Sequence, residues 1–161
     1  MSLISRLLPP AHVAVDLDAA DKRELFDKVA RMLEPSVGIR HGAIAHSLET
    51  REALGSTALG HGIAVPHGRV KGLRDAVGAF VRTRAPLAFD APDGAPVRLA
   101  FVLLVPERAT DVHLQILSEL AEMFSDRELR AQLIDCPDSA AAQRLIVQWE
   151  PHAPGHRRAA V

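Results

Sequence analysis

Residues 97–105, VRLAFVLLV, are the most apolar stretch of this 161-residue chain. So continuous a run suits a strand covered on both faces rather than one with a wet side. Two more strand candidates lie upstream: AVGAFVRT at 76–83 and a short strand inside GIAVPHG at 62–68. Between 86 and 97 the sequence PLAFDAPDGAPV is dense in Pro, Asp and Gly, which marks a turn-rich loop.

Helices are expected on both sides of this strand set. LISRLL (3–8) reads as a helical turn ended by Pro9-Pro10, and HVAVDL (12–17) as a strand. Asp21 and Glu24 form a D-x-x-E helix start, followed by Leu25, Phe26, Val29, Ala30 and Leu33 at helical spacing. Pro35 is expected to stop that helix. A second helix is expected from Gly42 to Leu54, with Ile44, Ala45 and Leu48 inside. After the central run, Thr110-Asp111 open a helix to Phe124 whose stripe is Ile116, Leu117, Leu120 and Phe124. Two more helices are expected at 126–134 and 139–149. Helices before and after a central strand set indicate an α/β domain with helices on both faces. The expected division is one domain over 1–150 and a flexible C-terminal tail over 151–161.

Composition narrows the function classes. The chain is 48% hydrophobic and 24% charged, with a formal charge of −1. That balance does not suit nucleic acid as the main partner. No apolar run reaches the roughly 20 residues of a membrane span, and the start is too short in apolar residues for a signal peptide. Cys136 is the single cysteine, so no intramolecular disulfide exists, and its position at a helix end reads as structural. The expectation is a cytoplasmic protein without membrane insertion.

The segment GSTALGHGIAVPHGR, 55–69, concentrates the chemistry. Gly55 and Gly60 have P-loop spacing, but His61 and Gly62 stand where Lys and Ser or Thr belong, and the strand follows the loop instead of preceding it. No G-x-G-x-x-G opens a helix, no G-x-S-x-G marks a hydrolase elbow, and no H-E-x-x-H or C-x-x-C supplies metal ligands. No metal and no cofactor are expected. His12, His41, His46, His152 and His156 are read as solvated surface residues. His67 stands apart: Pro66 should end the strand, and Gly68 gives the backbone room to turn, so an imidazole is displayed at a strand end beside small residues.

REALGSTALGHGIAVPHG, 51–68, resembles the signature of enzyme IIA domains of the mannitol/fructose type in the bacterial phosphoenolpyruvate-dependent phosphotransferase system. PLAFDAPDGAPV and FVLLVPERATDVHLQILSELAEMF extend the resemblance and favour the nitrogen-regulatory branch over the sugar-transport branch. It spans about residues 3–148. The resemblance implies a three-layer α/β/α sandwich with a small mixed sheet. It implies that His67 accepts a phosphoryl group through Nε2 from a phosphohistidine on a small carrier, HPr or its nitrogen-branch paralogue. It places His113 and Arg51 beside the phosphoryl group as stabilising groups, with Ser56, Thr57, His61 and Gly68 around the same pocket. His61 departs from the acidic or amide residues of relatives. Regulated target proteins are implied as further partners, and a homodimer is compatible with the family. The alternatives are a sugar-specific IIA that passes phosphate to a IIB domain and a binding module without phosphotransfer.

A neutral imidazole, held by one nitrogen, is a competent nucleophile near neutral pH. Phosphoryl transfer asks mainly for positioning and charge stabilisation. A guanidinium fork and a helix N-terminus both suit phosphate oxygens.

Overall fold

A computed structural model describes residues 3–108 and 111–150. The expected tail at 151–161, with His152 and His156, lies outside the described residues, as does Thr110.

The apolar run becomes the organising strand of a mixed sheet. In chain order the strands are β1 (Val13–Leu17), β2 (Ala58–Gly60), β3 (Ile63–Ala64), β4 (His67–Val70), β5 (Val77–Leu87) and β6 (Val97–Pro106). The sheet order is β1-β5-β6-β3-β2, and β4 also pairs with β6. One side of β6 pairs antiparallel with β5, matching Phe80 to Phe101. The other side pairs in parallel with β3 and then β4, matching Ile63 to Leu99 and His67 to Leu103.

Two helices cover one face and three the other. The helices are α1 (Lys22–Val37), α2 (His41–Glu52), α3 (Asp111–Phe124), α4 (Arg127–Asp135) and α5 (Ser139–Gln148). Period-two alternation along β6 sends Leu99, Phe101, Leu103 and Val105 into the core under α3–α5. Ala100, Val102 and Leu104 go into the core under α1 and α2. The molecule is thus the expected α/β/α sandwich, and β6 is buried on both faces as its composition requires.

The helix faces follow the sequence pattern. Leu25, Phe26, Val29, Ala30 and Leu33 are buried on α1, and Ile44, Ala45 and Leu48 on α2. Asp21 caps α1 by accepting from the Glu24 N–H at 2.9 Å.

Several expectations are corrected. Pro35 does not stop α1; it lies in the last turn, and the helix runs on to Val37. The carbonyl that Pro35 leaves without a partner is that of Arg31, and both residues are exposed, so water can take the place of the lost bond. The end is set by Gly38 at φ 71°, whose N–H reaches Glu34 O at 2.9 Å. Pro66 does follow the end of β3, which stops at Ala64, but a second strand opens directly after it. Pro66 has no N–H, yet its carbonyl accepts from Leu103 N at 2.9 Å, so the line of bonds along β6 resumes at His67. His67 is therefore the first residue of β4 and not the last of β3. β5 also extends to Leu87, with a register shift after Arg82.

His12 is not a surface residue. It is 4% exposed, with Nδ1 3.0 Å from Gly78 O and Nε2 2.6 Å from Ser36 Oγ. These bonds join β5 to the last turn of α1. Arg82, 5% exposed, is a buried cationic side chain. Its Nη1 donates to the carbonyls of Leu133, Ile134 and Cys136 at 3.0, 3.2 and 2.7 Å. The guanidinium thereby satisfies the C-terminal carbonyls of α4 and complements the helix dipole. Cys136 is buried beside it, in the structural role expected.

Candidate active site

A cleft of about 720 Å³ opens where the α2 layer and the start of α3 meet β4 and β6. Its lining includes Arg51, His67, Gly68, Arg69, Lys71 and His113. The sequence-nominated His67, His113, Arg51 and Gly68 are thus brought together from three elements distant in sequence. His46 and Glu107 also border the cleft, and exposed Leu54 and Leu114 stand on it.

His67 is half-buried, and its ring is oriented by its own backbone. Nδ1–H donates to the carbonyl of Val65 at 2.9 Å. That bond fixes the tautomer and leaves the Nε2 lone pair available. Burial pushes the imidazole pKa below 6.5, and the Arg51 guanidinium pushes the same way; the Val65 bond and the Glu52 carboxylate oppose them. The net direction is downward, so His67 is neutral at neutral pH.

Arg51 sits on the last turn of α2, where Nη1 donates to Gly55 O at 2.8 Å. This tie holds the guanidinium near the cleft and closes the turn after the helix. His113 enters from the first turn of α3, at the positive end of that helix. Arg69 and Lys71 follow His67 at steps of two, and Arg69 and Lys71 are exposed. Within β4 this alternation places Arg69 on the histidine's side, and Lys71, just past the strand, also lines the cleft.

Gly68 is the point of contact between β4 and α2. A Cβ there would lie 2.2 Å from Ser47 Oγ and 3.0 Å from the Ser47 carbonyl carbon and oxygen. Ser47 Oγ–H donates to Arg69 O at 2.7 Å. No side chain fits between the strand and the helix.

Ser56, Thr57 and His61 are placed apart from the cleft lining. Ser56 Oγ–H donates to Phe89 O in the 88–96 loop and accepts from Ala58 N. Thr57 Oγ1–H donates to Glu52 Oε1 at 2.6 Å. Both hydroxyls are engaged with the protein itself. His61, at φ 58°, and Gly62, at φ 80°, form the two-residue turn of the β2–β3 hairpin. Positive φ at both positions is the I′ geometry that matches strand twist. The His61 N–H is held by Asp93 Oδ2 at 2.9 Å. His61 thus shapes the turn.

Glu52 went unmarked in the sequence, although it is the second member of the R-E pair. Its side chain is 7% exposed and accepts from Lys22 Nζ at 2.9 Å, from Thr57 N at 3.1 Å and from Thr57 Oγ1. Its partners come from α1 and from the loop ahead of β2, so only the fold reveals it. Among the described residues, no group of three His, Cys, Asp or Glu side chains is arranged to hold a metal ion. No helix among them is long and apolar enough to cross a membrane.

The chain as a whole can be compared with known proteins. A nitrogen regulatory protein of Pseudomonas aeruginosa is 36% identical over 148 residues, covering 91% of this chain and 96% of the relative. The crystal structure of nitrogen regulatory protein IIA-Ntr from Neisseria meningitidis superposes with a TM-score of 0.85 at 44% identity, covering 90% of this chain and 99% of that one. The IIA mannitol structure from Escherichia coli shares the fold, with a TM-score of 0.72 at 20% identity, covering 86% and 97%. Residues 6–149 match the family described as phosphoenolpyruvate-dependent sugar phosphotransferase system, EIIA 2, and the chain belongs to that family.

Proposed function

We propose that this protein is a phosphocarrier of the nitrogen-regulatory branch of the phosphotransferase system, and that it takes up a phosphoryl group on Nε2 of His67. The observation that carries the reading is the orientation of the ring. Nδ1–H is committed to Val65 O, and burial favours the neutral imidazole, so Nε2 carries an available lone pair in a cleft lined by cations.

The donor in this reading is a phosphohistidine on an HPr-type carrier. The Nε2 lone pair of His67 bonds to phosphorus as the phosphorus–nitrogen bond of the donor breaks, and the donor imidazole recovers the electron pair. One phosphoramidate is exchanged for another, so the chain needs to supply positioning and charge rather than a large driving force. Arg51 from α2 and His113 from α3 approach the phosphoryl oxygens from the two layers. Arg69 and Lys71 add positive potential at the mouth. Leu54 and Leu114 are 83% and 65% exposed beside the same cleft and offer an apolar seat for the carrier.

A regulatory output is favoured by the 36% and 44% identity to nitrogen regulatory proteins, against 20% to the mannitol IIA. The phosphorylated and free forms would then be distinguished by target proteins. The test is incubation with phosphoenolpyruvate, enzyme I and the HPr-type carrier, followed by intact mass. A gain of one phosphoryl group in the native chain and none in His67→Ala is expected. Labelling retained in His67→Ala would overturn the assignment.

A further inference from the structure

A buried carboxylate stands behind the acceptor histidine and reaches it through two intervening residues. Lys22 Nζ donates to Glu52 Oε2 at 2.9 Å, and the Thr57 N–H donates to the same oxygen at 3.1 Å. Thr57 Oγ1–H donates to Glu52 Oε1 at 2.6 Å. The Val65 N–H then donates to Thr57 O at 3.0 Å, and His67 Nδ1–H to Val65 O at 2.9 Å. Every link from Lys22 to the imidazole is a hydrogen bond of ordinary length.

We infer that Glu52 is a positioning residue for His67: it fixes Thr57, Thr57 fixes Val65, and the Val65 carbonyl holds the Nδ1–H edge so that Nε2 is presented to the cleft. The inference rests on His67 being the phosphoryl acceptor. Thr57 thereby gains a role at the site without touching phosphate.

Three features favour this over a purely local anchor. First, the side-chain grip on Thr57 is double, through N–H and hydroxyl, so both rotation and translation of the residue are fixed. Second, Pro66 separates Val65 from His67 and offers no N–H to the sheet; the segment must be held by its neighbours. Val65 N–H to Thr57 O and Leu103 N–H to Pro66 O are those holds. Third, the Glu52 charge acts on the ring, raising its proton affinity against burial and Arg51.

Each link passes to a different peptide plane, because N–H and C=O of one residue belong to separate amides. The chain therefore transmits position, while the carboxylate adds its field through space. Lys22 balances the buried charge and rests over the Phe89 ring, 4.9 Å from its centroid.

The test uses Glu52→Gln, Thr57→Val and Thr57→Ser in the full chain. Two measurements are made: the His67 ring tautomer and pKa by nitrogen-15 NMR without any donor, and the kinetics of phosphoryl uptake from the phosphorylated HPr-type carrier. Glu52→Gln and Thr57→Val are expected to lower the Nδ1–H tautomer fraction and to cut kcat about tenfold, with KM for the carrier unchanged. Glu52→Gln should also lower the His67 pKa further. Thr57→Ser, which keeps the hydroxyl, should behave as the native chain. Unchanged tautomer and kcat in folded Thr57→Val would overturn the inference even if Glu52→Gln fails to fold. If the native chain takes up no phosphoryl group on His67, the acceptor reading falls, while the tautomer measurement still decides the positioning role.

Discussion

Gly68 packs directly on Ser47, so that strand β4 and helix α2 meet with no side chain between them. The contact fixes the distance from the His67-bearing strand to the helix that carries Arg51. Gly68→Ala would force the Ser47 hydroxyl to move and would press on its backbone carbonyl. The Ser47–Arg69 bond would be lost with it. The expected cost is about 1–3 kcal/mol of stability, read by chemical denaturation, together with slower phosphoryl uptake. Full stability in Gly68→Ala would mean that α2 yields freely.

Acid should switch the site off. Burial and the Arg51 guanidinium hold the pKa of His67 below 6.5, so the nucleophilic neutral form predominates at neutral pH. Uptake should fall as the pH is lowered and the ring takes up a proton, at a lower pH than for a free imidazole. The same shift links to stability: below pH 6.5 the unfolded chain binds a proton at this position before the folded chain does. Stability should therefore rise with pH up to that point and level off above it, as far as His67 contributes. An inflection in uptake above neutrality would contradict this environment.

His61 should matter to the hairpin more than to transfer. It holds φ 58° in the β2–β3 turn, which β-branched residues resist. His61→Val should cost about 1–2 kcal/mol, whereas His61→Asn and His61→Gly should be close to neutral in thermal melting. All folded variants should take up phosphate at near-native rates. A large rate loss in His61→Asn would place the imidazole in the chemistry.

Arg82 should be a stability residue without influence on the histidine. Arg82→Ala uncovers three carbonyls at the end of α4 and is expected to cost about 3–5 kcal/mol. Arg82→Lys, a compact charge without a planar fork, should recover only part of this. The His67 pKa should be unmoved in both.

Much of this architecture is legible in the sequence because burial and periodicity agree. VRLAFVLLV is buried on both faces and reads so; α1 is amphipathic and its face is found residue by residue. That His67, His113 and Arg51 meet at one cleft is legible through the family resemblance of the motifs that carry them. The failures share a cause. Pro35 carries a strong local rule, but exposure of the Arg31 carbonyl decides its outcome, and pairing to β6 sets the new strand that follows Pro66. His12, Arg82 and Glu52 find their partners across at least twenty-four residues or on other elements. Polar side chains of that kind show no period, and only the assembled fold tells a buried histidine from a wet one. Ser56 and Thr57 show the opposite side of this: hydroxyls beside glycines suggest phosphate, while in the fold the protein's own carbonyl and carboxylate groups engage them.

The grip of Arg82 on α4 also limits how this chain can change in length. Successive carbonyls of an α-helix point about 100° apart around its axis. Inserting or deleting a single residue within α4 would swing the carbonyls of Leu133 and Ile134 away from the guanidinium. The helix can lengthen only by near-complete turns. A buried, permanently charged side chain thus acts as a ruler for the segment it caps.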